Sequence, residues 1–106
     1  MVKAMLVGLL TIHIHLQGID SLKGKRRIVK SVIERLQSRF NVSAAEIAAQ
    51  DSKQLAIAGI AVISNDGSHL NAQLDKIMNF IINDGRFYVG RVQRETFTSD
   101  DEFMSV

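Results

Sequence analysis

The chain contains no cysteine, which excludes disulfide bridges and thiolate metal centres and leaves the redox compartment open. No run of eighteen apolar residues occurs, so no segment suits a helical membrane span. The opening Met1-Val2-Lys3-Ala4-Met5-Leu6-Val7-Gly8 has one lysine and no small-residue cleavage site after an apolar run. It passes into alternation at Thr11, His13 and His15, which suits a strand better than a signal peptide; a cytoplasmic protein is the expectation. The GxxxxGK[ST] spacing of a phosphate-cradling loop is missing, so nucleotide hydrolysis lacks its usual support. No strand interleaves basic and aromatic residues in the manner that stacks bases.

The 106 residues are 46% hydrophobic and 23% charged, the balance of one globular domain with a single core. The formal charge of +2 hides an asymmetry. Residues 1–94 carry 13 bases and 7 acids, whereas Glu95, Asp100, Asp101 and Glu102 follow with no base. Seven of the thirteen bases lie between Ser21 and Arg39, where Glu34 is the single acid. A basic body with an acidic tail suits a polyanionic partner, with the tail shielding that surface in the free protein. Solubility alone is the competing explanation.

Residues 4–16 alternate, with Ala4, Leu6, Gly8, Leu10, Ile12, Ile14 and Leu16 on one face. The other face starts apolar at Met5, Val7 and Leu9 and turns polar from Thr11, the pattern of a strand covered fully on one side and partly on the other. Ser21 is a candidate N-cap for a helix ending near Arg39 or Phe40. Its stripe gathers Leu22, Val29, Val32, Ile33, Leu36 and Phe40; Lys23, Arg27 and Lys30 point away, and Lys25 and Arg26 flank it. Gly24 weakens the first turn by roughly 1 kcal/mol relative to alanine. Residues 42–50 suggest a second strand and Asp51 to Gln54 a turn. Leu55 to Ile63 reads as a central strand buried on both faces. Ser64-Asn65-Asp66-Gly67 then offers caps for a helix over 67–83, striped by Leu70, Leu74, Ile77 and Ile81 and ended by Asn83-Asp84-Gly85. A less buried strand follows over 86–97.

The order is βαββαβ. Two helical stripes need one sheet face, and right-handed crossovers give a ferredoxin-like α/β (α+β) fold: a four-stranded antiparallel sheet with both helices on one side. That assigns residues 1–97 to one domain and 98–106 to an acidic tail. Covering the open sheet face calls for a homodimer.

Ser21-Leu22-Lys23-Gly24-Lys25-Arg26-Arg27 is the strongest candidate site. Unpaired amides at a helix start, the helix dipole and several bases together attract phosphate. The expected contacts are Ser21, Lys23, Lys25, Arg26, Arg27 and Lys30, on the backbone of structured RNA or the ribosome. A solvated basic face is the bland alternative. His13 and His15 form a pair at i and i+2 that needs a third ligand; His69 with Asp20 or Asp51 could complete a metal or general-base arrangement, but nothing local enforces it, so no metal and no cofactor is expected, and no catalytic residue is assigned. Asp51 and Asp66 read as turn residues. The rival readings are a homodimeric module that meets an acidic protein and, more remotely, a small-ligand enzyme or sensor with a cleft near Asp51, Asn65, Asp66 and His69.

The sequence Ser21-Leu22-Lys23-Gly24-Lys25-Arg26-Arg27, then Val29-Lys30-Ser31 and Arg39-Phe40-Asn41-Val42-Ser43, resembles the YlxP-like family of small bacterial proteins. The likeness extends through Glu46, Gln50-Asp51, Gln54, Ala56, Gly59 and Val62-Ile63-Ser64-Asn65-Asp66, includes Val7-Gly8, and spans about residues 1–97. It implies a ferredoxin-like fold, usual self-association and no established activity. The family's genes often neighbour those of transcription and translation factors, which implies by association an RNA-related role. Lys53 and Leu55 depart from its pattern, which commonly has an aromatic or histidine and an arginine there. The acidic residues from Asp100 lie outside it.

Overall fold

A computed structural model describes residues 4–100 of the chain. The elements follow the order β1 (Ala4–His15), α1 (Leu22–Arg39), β2 (Ser43–Ala48), β3 (Leu55–Ser64), α2 (Gly67–Ile82) and β4 (Tyr88–Asp100). The four strands form one antiparallel sheet in the order β2-β3-β1-β4, the ferredoxin-like α+β arrangement expected from the two helical stripes. β4 continues past residue 97, so the first residues assigned to the tail pair with β1, Ala4 opposite Asp100. The rest of that tail, residues 101–106, lies outside the described residues.

The core lies between the helices and one sheet face. Leu10, Ile12, Ile14 and Leu16 of the first strand and its exit meet Ala56, Ala58, Ile60 and Val62 of β3. Val29, Val32 and Leu36 of α1 and Leu70, Leu74, Ile77 and Ile81 of α2 close over them. These are the stripes that a 3.6-residue period selects. α2 comes close to β1 at Gly8, where an added Cβ would sit 2.9 Å from a Leu74 methyl. Glycine is there to admit the helix.

Among the described residues, no further layer of the chain covers the opposite sheet face. It presents Met5, Val7, Leu9, Thr11, His13 and His15 from β1, flanked by Ile57, Gly59, Ala61 and Ile63 of β3 and by Glu95 and Phe97 of β4. This corrects the expectation that β3 is buried on both faces: its Ile63 is 65% exposed, and on the neighbouring β4 Phe97 is 51% exposed. The strand is central in the sheet as expected, between β2 and β1; composition made its second face look buried because small and β-branched residues fill both faces alike. Beyond a register shift between Ile12 and Ile14, His15 stacks on Tyr88 with centroids 4.8 Å apart. Gly90 leaves room for that imidazole, since a Cβ there would meet His15 Nε2 at 2.5 Å.

Candidate nucleic-acid interface

Ser21 sits in extended backbone at the start of α1, and its Oγ accepts from the Gly24 amide at 3.0 Å. The cap expected from sequence forms, and Gly24 is the residue whose N–H it satisfies. A Cβ on Gly24 would press to 3.2 Å from that Oγ, so the weak helix former fits the tight first turn. Lys23, Arg26, Arg27 and Lys30 all reach solvent. Lys30 is 78% exposed and lies 3.8 Å from Glu34, itself 62% exposed, a solvent-screened pair that binds its lysine only weakly.

Lys25 departs from the expectation. It is fully buried, the one charged residue among the buried ones described. Its Nζ donates to the Ala49 carbonyl at 2.7 Å and lies 2.7 Å from Glu46 Oε2. The Ala49 contact is the aligned hydrogen bond; the Glu46 contact is an ion pair whose angle falls outside hydrogen-bond geometry. Ala49 holds a φ of 65°, a left-handed conformation uncommon for a residue with a Cβ. That conformation follows the register shift in β2 between Glu46 and Ala48. Lys25 therefore cannot contact a phosphate on the helix surface. The signal was present in the spacing: residues 25, 29, 32 and 36 fall at helical intervals on one side, and Glu46 alternates onto the inward face of β2.

The remaining bases of the stretch face α2. The guanidinium carbons of Arg35 and Arg39 lie 5.1 and 5.2 Å from the Phe80 ring centroid. Phe40 meets the same ring edge-on at 5.7 Å. Arg35 reaches Asp84 at 3.4 Å, while Arg86 grips that carboxylate with two bonds of 2.6 and 2.7 Å and donates to Ser31 Oγ at 3.1 Å. The Arg86 hydrogen bonds hold the Asp84 carboxyl below its ordinary range, and Asp84 in turn raises the Arg86 guanidinium. Between these side chains runs a trough of about 420 Å³. Sequence reasoning counted Arg35 and Arg39 as bases and assigned them no role.

The loop residues do not converge. Asp51 stands at the turn before β3 and Asp66 after it, separated by the strand's ten residues, about 30 Å of chain. Asp66 caps α2 by accepting from the His69 amide at 3.0 Å, and Ser64 Oγ caps the same turn. The small-ligand cleft joining Asp51 to Asp66 and His69 is thus not assembled. His13 and His15 are on the open sheet face and His69 on the helical side. Among the described residues no three histidine, aspartate or glutamate side chains are grouped to hold a metal ion, and no helix is long and apolar enough to cross a membrane.

Residues 7–94 match the family described as "Protein of unknown function (DUF503)". The chain belongs to this family. A DUF503 assignment agrees with the resemblance read from the SLKGKRR and RFNVS segments, as does a second match. "Uncharacterized protein YlxP" of Bacillus subtilis (strain 168) is 39% identical over 61 residues, covering 58% of this chain and 66% of that protein, just short of two thirds of its length. Among solved structures, "De novo designed protein Foldit4" is similar over 92% of this chain and 98% of its own, with a TM-score of 0.49 and 13% identity. The DUF503 description carries no activity, so function has to be argued from the side chains of this chain.

Proposed function

We propose that this DUF503 protein is a non-catalytic binder of structured RNA that grips the phosphate backbone through Lys23, Arg26, Arg27 and Lys30. The supporting observation is their common exposure on one side of α1 beside a single acid, Glu34. Phosphates approaching there release counterions, so affinity falls steeply with salt and carries little sequence preference. Lys25 contributes by holding α1 against β2, not by contact. Ser21 serves as the cap, its Oγ accepting from the Gly24 amide, and the cap leaves its O–H to donate to a phosphate.

The test is binding to structured RNA over a salt series, with an acidic polypeptide as control. RNA-selective affinity that is steeply salt-dependent, and lost when Lys23, Arg26 and Arg27 are reversed to glutamate, supports the reading. Equal affinity for the acidic polypeptide, or unchanged affinity after reversal, overturns it.

A second reading rests on a different observation, the open sheet face. Met5, Ile47, Ile63 and Phe97 are each at least 39% exposed, more apolar surface than scattered residues on a soluble monomer require. A second copy seated there makes a homodimer in which both basic helices face outward. This reading is compatible with the first and makes the RNA-binding unit bivalent.

A further inference from the structure

The trough between α1 and α2 gathers more positive charge than the packing of two helices calls for. Arg35 and Arg39 enter from α1 and Lys76 from α2, around the Phe40–Phe80 pair. Asp84 is the single carboxylate in the lining, and Arg86 already holds it through two hydrogen bonds. Among the described residues, neither Arg39 nor Lys76 has a carboxylate within ion-pairing distance. An arginine stacked on phenylalanine near a helix C-terminus is ordinary stabilisation, and it accounts for Arg39. It does not account for Lys76, which comes from the middle of the other helix and brings a like charge to the same hollow.

The hollow continues past these two cations. An adjoining depression of about 320 Å³ shares Arg39, Phe40 and Lys76 and extends toward His69 and Gln73. The larger part is lined by the Asn79 and Asn83 amides, which offer donors and acceptors on the rim of an aromatic floor. Cations shared by the two depressions, a ring beside them and amides beyond match a ligand with an anionic end and a flat polar end.

We infer that this trough binds a nucleotide, free or as an unpaired residue of RNA. Its phosphate lies between Arg39 and Lys76, and its base lies along the Phe80–guanidinium stack within reach of Asn79 and Asn83. The site is separate from the proposed backbone-binding face. Lys30 and Arg39 stand nine positions apart, which places them about 180° apart around α1. The two sites therefore stand or fall independently.

The experiment is a ¹H–¹⁵N NMR titration of the whole chain with adenosine 5′-monophosphate, a short single-stranded oligoadenylate, adenosine and inorganic phosphate. The expected result is saturable shifts of the Asn79 and Asn83 side-chain amides and the Arg39 guanidinium N–H. These appear with the monophosphate if free nucleotide is the ligand, or only with the oligonucleotide if the nucleotide must belong to RNA. Arg39→Gln with Lys76→Gln weakens binding about tenfold or more, whereas Lys23→Glu with Arg27→Glu leaves these shifts in place. Lys76→Gln alone, at an exposed position, keeps the test valid if the double variant melts early. No shift from either nucleotide form overturns the site. Inorganic phosphate binding as tightly as the nucleotide overturns it too, as does loss of binding in the Lys23/Arg27 variant instead of the trough variant.

Discussion

Lys25, Glu46 and Ala49 form a unit that links α1 to the end of β2 through one ammonium. Burying a lysine is tolerable only because a carboxylate and a carbonyl meet it, and removing one partner strands the other. Lys25→Met is expected to lower unfolding free energy by about 3 kcal/mol, since Glu46 then keeps a mostly buried charge without its cation. Adding Glu46→Leu should recover much of that loss in urea unfolding; a double variant as unstable as the sum of the singles would show that the two charges do not interact. A second effect at this scale concerns acid. Asp84, held below its ordinary range by Arg86, contributes stability that is present above its unfolded pKa near 4 and lost as pH falls through its lower folded value. Asp84→Asn should therefore flatten the acid limb of the stability profile below about pH 4, measured by urea midpoints; an unchanged slope would remove Asp84 from the account. Lys25 also shows where residue-level reading stopped. Its spacing was legible, but a cation on a stripe margin is assigned to solvent unless its buried partner is known. That partner is on an element separated by a loop.

At the level of elements, period and caps carried most of the reading. α1 starts at Ser21, the residue expected to cap it, and α2 takes Asp66 as its cap from the Ser64-Asn65-Asp66-Gly67 stretch that offered one. Strand ends were less legible. β4 extends to Asp100 because its backbone pairs with β1 whatever its side chains are, and a pattern without an apolar face gives no warning of that. The meeting of α2 with β1 depends on a missing side chain. Gly8→Ala would press a methyl against Leu74 and Leu70 and is expected to cost about 1–3 kcal/mol by overpacking. Thermal unfolding checks this, and a melting point equal to that of the parent would mean that the leucine tips yield freely. Gly90→Ala should act differently, because the atoms it meets belong to the far end of His15. The expected outcome is loss of the His15–Tyr88 ring stack, seen in Tyr88 ring shifts, with the rest of the fold kept.

The molecule as a whole is elongated. The described residues have a radius of gyration of 15.7 Å and extents of 55 × 23 × 23 Å, against about 13 Å for a compact domain of this length. β1 and β4, twelve and thirteen residues long, run the length of the sheet. Their open side carries the Phe97–Val7–Ile63 row, set by the β1 register with both neighbours. If a second copy covers that row, Ile63→Lys with Phe97→Lys should convert a dimer to a folded monomer in sedimentation velocity while leaving the melting transition cooperative. A parent chain that sediments as a monomer at high concentration would retire the self-association reading. The fold was legible at this scale because two stripes leave one economical arrangement. The exposure of the other face was not, since apolar residues on an outer surface look the same in sequence as those in a core.

The buried ammonium gives lysine chemistry an internal clock. An amine-reactive acylating reagent will modify Lys23 and Lys30 on the native chain at once, and if the proposed RNA contact forms there, added RNA will slow that labelling. Lys25, shielded from reagent with or without a ligand, will be acylated only when α1 lifts away from β2. One mass spectrum of one peptide series thus reports occupancy at two positions and opening of the fold at a third.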